Sequence, residues 1–73
     1  MKEKLLEIFA EVLEEDQNNL KLDLNKDEYE NWDSIAHLTL VADVEAEFSV
    51  SFTPEEIEKL VSIESFLDLI QSK

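Results

Sequence analysis

The chain has 73 residues, with 19 Asp and Glu against six Lys, no Arg, no Cys and no Gly, for a formal net charge of −13. These counts exclude disulfides, thiolate metal sites and a protein thiol nucleophile. They also argue against nucleic-acid binding, which needs Lys and Arg to neutralise phosphates.

The length suits one domain over 1–73, near the lower size at which a single core holds without staples. The opening Met1-Lys2-Glu3-Lys4 has no signal-peptide character, and no apolar run approaches membrane-spanning length, so the expected location is the cytoplasm. From Lys2 to Glu15, Leu5, Leu6, Ile8, Phe9, Val12 and Leu13 form a helical stripe. Glu7, Glu11, Glu14 and Glu15 fall on the other side, which predicts a first amphipathic helix. Asp16-Gln17-Asn18-Asn19 breaks the period.

From Leu20 to Trp32 no period emerges. Leu20, Leu22 and Leu24 alternate but have no second strand to pair with, so a long loop packed by its own leucines is expected. Within it, Asp23-x-Asn25-x-Asp27 has the look of the start of an EF-hand calcium loop. The sixth and twelfth positions of that loop require Gly and Glu; here they hold Glu28 and Ser34, so no dedicated calcium site is read.

A second helix is predicted from Ser34 to Phe48, with Ile35, Leu38, Val41, Val44 and Phe48 turned inward and Ala42 beside Val41. Thr53-Pro54-Glu55-Glu56 is a helix start with Thr as cap, Pro at the first helical position and Glu completing a capping box. The short third helix turns Ile57, Leu60 and Val61 inward. Ser62 caps a fourth, with Ile63, Phe66, Leu67 and Ile70 inward. The fold class is therefore all-α: a small four-helix up-down bundle with three longer helices, a short third one, and a long loop between the first two. With no Gly, Asn residues are expected to make the turns.

Asp33-Ser34-Ile35 puts a serine hydroxyl at the mouth of the second helix, where free N–H groups and the positive dipole end favour a phosphate ester. Alone the tripeptide says little, since Ser34 could be a plain cap competing with Asp33. His37 lies three residues on, but no orienting Asp or Asn and no G-x-S-x-G motif accompany it, which argues against a hydrolase. Trp32 reads as an aromatic anchor for the loop.

Length, acidity, helix order, the long first loop and Asp33-Ser34-Ile35 together resemble the acyl carrier protein family. Glu45-Ala46-Glu47-Phe48 and the run Phe52-Thr53-Pro54-Glu55-Glu56-Ile57-Glu58-Lys59-Leu60 extend the resemblance over nearly the whole chain. It implies a carrier and not an enzyme. A phosphopantetheinyl transferase would move 4'-phosphopantetheine from coenzyme A to Ser34 with Mg²⁺, Asp33 would help recognition, and acyl groups would ride as thioesters. Loading ligases and downstream synthase or transferase enzymes would be the partners of a monomer, with Ile35, His37, Leu38, Asp43, Glu45 and Glu47 as docking candidates.

The family shelters acyl chains between its helices, which makes Ile35, Leu38, Phe48, Ile57 and Ile63 candidates for a cavity lining within the core. The chain departs from the family at Asn31 and Trp32, where Gly commonly precedes the motif. It also departs along the second helix, where Ala36, Thr39 and Ala46 thin out the acids. The less charged second helix favours a carrier dedicated to one pathway, of fatty-acid, polyketide or related type. Two alternatives stand beside it: an aminoacyl or peptidyl carrier of a nonribosomal-type or cell-envelope pathway, and an unmodified helical interaction module.

Overall fold

A computed structural model describes residues 2–73, within extents of 27 × 22 × 19 Å. Four helices follow in order: α1 (Lys2–Leu13), α2 (Ser34–Phe48), α3 (Pro54–Lys59) and α4 (Ile63–Ser72). Two single 3₁₀ turns, Gln17–Asn19 and Lys26–Glu28, break up the long connection between α1 and α2. The predicted all-α architecture is observed, with α1 ending at Leu13, the last residue of its stripe and two before the expected Glu15.

The caps explain the boundaries. Asp33 accepts the Ala36 N–H at 2.8 Å and starts α2. Thr53 and Glu56 close a capping box around the α3 start, with Pro54 at the first turn. Ser62 caps α4, where Ser65 returns the bond. The turns are made differently from the expectation. The left-handed positions are Glu14 (φ 56°) and Ser49 (φ 53°), not Asn residues. Each follows the last helical residue and allows a 6→1 closure, Glu15 N–H to the Ala10 carbonyl at 2.9 Å and Val50 N–H to the Glu45 carbonyl at 3.2 Å. Those bonds offset a left-handed cost of about 1–2 kcal/mol for a residue with a Cβ. The asparagines are used for side-chain bonding: Asn25 caps the second 3₁₀ turn and Asn31 donates to the Leu13 carbonyl at 3.1 Å.

The core gathers Leu5, Phe9 and Leu13 of α1, Leu40 and Val44 of α2, Leu60, and Ile63, Phe66 and Ile70 of α4. Phe66 sits at its centre, with the rings of Phe9, Trp32, His37 and Phe52 at 5.1, 6.3, 6.2 and 6.3 Å. Leu20 of the loop is buried, while Leu22 and Leu24 are half-buried against the core, as expected.

The inward face of α2 is a correction. Ala36, Leu40, Val41 and Val44 are buried, whereas Ile35 and Leu38 are 78% and 63% exposed. Val41 and Val44 lie inward as predicted and Phe48 is half-buried, but the N-terminal half of α2 is apolar on two faces, and there Ala36 and Leu40 face the core in place of Ile35 and Leu38. The expected cavity lining falls with it. Ile63 is fully buried, Phe48 and Ile57 are half-buried, and Ile35 and Leu38 face solvent.

Two carboxylates tie segments together. Glu15 accepts the Tyr29 hydroxyl and the Asn19 amide, and the Tyr29 bond is the larger cause of a pKa held below its ordinary 4.5. Glu56 is held below 4.5 first by the Thr53 N–H and then by Lys73. A folded pKa below the unfolded one stabilises the fold above about pH 4.5 and is lost as pH falls through the folded value. Protonation of other acids meanwhile relieves the repulsion of a −13 chain. Tm is therefore expected to rise from pH 7 toward about 5 and to fall below about 4.5, with a shallower acid limb in Tyr29→Phe. Parallel acid limbs in the two proteins, measured by circular dichroism, would contradict this account of Glu15.

Candidate functional site

Ser34 is the first residue of α2 and is exposed. The cap bond is made by the Asp33 carboxylate, so the Ser34 hydroxyl takes no part in closing the helix. The competition for the cap is thus decided for Asp33. A free primary alcohol is left where the N–H groups of the first turn point outward and the dipole is positive.

A groove of about 410 Å³ opens beside it, lined by Lys26, Asp27, Trp32, Asp33, Ser34, His37 and Leu38. The long loop supplies Lys26 and Asp27, and its path is set from the far side of the chain. The Lys26 N–H donates to the Val61 carbonyl and the Glu64 N–H to the Leu22 carbonyl, both at 2.8 Å. The second bond satisfies a first-turn donor of α4, and Asn25 and Ser62 meet in an isolated antiparallel bridge. Nothing in the sequence pattern announced these pairings, so Lys26 and Asp27 went unnoticed as neighbours of Ser34. The Asn25 cap was the one local signal for a turn there.

Trp32 anchors the loop as expected. It is 5% exposed and meets Phe9 edge to face at 5.2 Å. Its indole N–H donates to His37 Nδ1 at 3.0 Å. An indole nitrogen only donates, so Nδ1 is the acceptor, and Nε2 carries the proton that it donates to the Ile57 carbonyl at 3.1 Å. With both ring nitrogens engaged, His37 has none free to take a proton from Ser34.

Of the six docking candidates, the structure presents Ile35, Leu38, Asp43 and Glu47 to solvent and turns two inward. His37 is half-buried in the bonds just described. Glu45 accepts the Phe52 N–H at 2.7 Å and so braces the turn after α2. The four exposed residues do not form one surface. Ile35, Leu38, Thr39, Ala42 and Ala46 fall within an arc of roughly 100° around α2, all exposed and uncharged. The Thr39 hydroxyl bonds back to the Ile35 carbonyl at 2.9 Å, so it adds little polarity to that row. Asp43 and Glu47 lie toward α1, where they line a shallow depression with Ile8, Glu11 and Ala46. Among the described residues no cluster of His, Cys, Asp or Glu is arranged to hold a metal ion. No helix among them is long and apolar enough to cross a membrane.

The exposed serine, the helix dipole and a groove with a lysine in its lining fit a phosphodiester-linked arm. Residues 3–70 match the family model described as the phosphopantetheine attachment site. The chain is similar to the acyl carrier protein of Petrotoga mobilis, at 31% identity over 97% of this chain and 84% of that protein. The acyl carrier protein of Phytoplasma mali shares 32% identity over 94% of this chain and 82% of its own length. In three dimensions the fold superimposes on the solution structure of a holo acyl carrier protein from Geobacter metallireducens with a TM-score of 0.85. That match has 26% identity and covers 99% of this chain and 83% of the other.

Proposed function

Since the chain belongs to the phosphopantetheine attachment-site family and is an acyl carrier protein, bearing acyl groups on a covalent phosphopantetheine, we propose that Ser34 is the residue that holds the arm. The observation that carries this is the exposed hydroxyl of Ser34, outside the cap of α2 and on the edge of the groove. The other serines are less suited. Ser62 and Ser65 hold each other in the α4 cap, Ser72 donates to the Leu69 carbonyl, and Ser49 and Ser51 lie in the turn after α2.

The protein is a carrier and not a catalyst, and carrier proteins meet synthases and transferases in general. The arm supplies the thiol for thioester formation, a group the Cys-free polypeptide lacks. Ser34 contributes the nucleophilic oxygen of attachment. The base must come from the transferase, because His37 is committed to Trp32 and Ile57. Asp33 holds the first turn of α2 in place and thereby fixes where the oxygen stands.

The uncharged row on α2 favours a carrier dedicated to one pathway, whose partners read apolar contact at Ile35 and Leu38 more than charge. Asp43 and Glu47 are left to steer approach from the α1 side. The reading includes a single carrier domain acting as a monomer in the cytoplasm. Its test is intact mass after incubation with coenzyme A, Mg²⁺ and a broad-specificity phosphopantetheinyl transferase. One phosphopantetheine is expected, on the peptide containing Ser34. Leu38→Glu is expected to slow that loading about 10-fold or more, as for a central apolar anchor. A mark on another serine would overturn the site, and equal rates would remove the docking role of Leu38.

A further inference from the structure

Resting on Ser34 as the point of attachment, we infer that His37, seated on Trp32, determines cargo specificity: it floors the groove beside Ser34 and keeps the thioester-borne group out of the core. The ligand class that suits such a groove is a short or polar acyl group, not a long alkyl chain.

The groove has charged groups in its lining, Lys26, Asp27 and Asp33, and an aromatic floor. The floor is the stacked pair of Trp32 and His37, with centroids 6.2 Å apart and planes 29° from parallel. Immediately beyond is the fully buried ring of Phe66, 6.2 Å from His37 and 6.3 Å from Trp32. A chain running from the groove toward the core would have to part α2 from α3. The bond from His37 Nε2 to the Ile57 carbonyl crosses that seam at 3.1 Å.

One tautomer of the imidazole satisfies both neighbours, so the ring cannot swing aside without breaking two bonds at once. Displacement would strand the N–H of Trp32, which is 5% exposed, and would leave the Ile57 carbonyl with the Leu60 N–H alone, at 3.2 Å. An unpaired buried donor is costly, and a chain of few methylenes gains little burial to set against that cost and the lost His37–Ile57 bond. The residues nearest Ser34 on the outer side, Ile35 and Leu38, offer no enclosure, since both face solvent.

The test loads wild type, His37→Ala and Trp32→Phe with acetyl-, butyryl- or octanoyl-pantetheine directly from the matching acyl-coenzyme A. Intact mass confirms each form. Thermal unfolding and amide chemical shifts are then read against the acetyl form of the same protein. In wild type, Tm is expected to be independent of chain length, with shift changes confined to Lys26, Asp27, Ser34 and Leu38. In His37→Ala, the octanoyl form is expected to melt above its acetyl form and to shift Leu60, Ile63 and Phe66. Trp32→Phe keeps a ring in place while removing the N–H that fixes His37, and should move the same way by less. A loss of stability alone would lower every form equally and leave no dependence on length.

Octanoyl-dependent shifts at Leu60 and Phe66 in wild type would overturn the inference, as would absence of any length dependence in both variants. Absence of any mass gain would instead remove the attachment reading on which the inference stands.

Discussion

In a Ser34→Ala protein the mass gain from phosphopantetheine is expected to vanish completely, while the fold stays as it was. Loading should fall to zero because none of the other five serines in the chain offers a free hydroxyl at the start of a long helix. The stability cost should be small for a stated reason: the cap of α2 belongs to Asp33, which bonds the Ala36 N–H at 2.8 Å. An exposed residue outside such a bond changes stability by about 0.5 kcal/mol or less, so Tm should move by roughly 4 °C at most in a domain of this size. Asp33→Ala should do the reverse, keeping the nucleophile and losing about 1 kcal/mol of capping. Residual mass gain in Ser34→Ala, or a large drop in its Tm, would show that the hydroxyl has been placed wrongly.

Phe66→Ala is expected to abolish the cooperative unfolding transition. Truncating a buried Phe costs about 3–5 kcal/mol. A 73-residue domain at about 0.05–0.15 kcal/mol per residue holds only roughly 4–11 kcal/mol in total. Phe66 is worse placed than an average core Phe, because four rings lean on it: Phe9, Trp32, His37 and Phe52. Removing it withdraws support from α1, from the loop before Ser34, from α2 and from the turn leading into α3. The near-ultraviolet circular dichroism of Trp32 should collapse while much of the helical signal persists. Phe66→Leu, which fills most of the volume, should keep a transition at lower temperature. A sharp transition in Phe66→Ala within a few degrees of wild type would show that the ring cluster does not hold the elements together.

The parts legible in the sequence were those written in short range. Thr53-Pro54-Glu55-Glu56 and Ser62 act through bonds three residues apart, and both caps stand where they were read. Asp33-Ser34-Ile35 likewise marked the start of α2. The inward face of α2 was legible only in part. Val41 and Val44 were read inward and are, but in its first turns the two apolar sides are distinguished only by what packs on them, and Ala36 and Leu40 proved to be inside in place of Ile35 and Leu38. Pairings across long stretches of chain were invisible for the same reason. The Trp32–His37–Ile57 chain of bonds joins three elements, and Glu45 accepts the Phe52 N–H across the turn after α2. Glu14 and Ser49 adopt left-handed turns because closure bonds compensate them, a compensation that residue preference alone does not reveal.

The backbone bonds from Lys26 to Val61 and from Glu64 to Leu22 join residues 35 and 42 positions apart, as their numbering gives directly. Closing loops of that length is slow relative to helix formation, and it is completed only when the whole molecule condenses. The segment leading to Ser34 has locally bonded 3₁₀ turns, but it takes its final path only when those distant contacts close. With Ser34 as the proposed point of attachment, the setting of the serine is complete only in a chain that has finished folding.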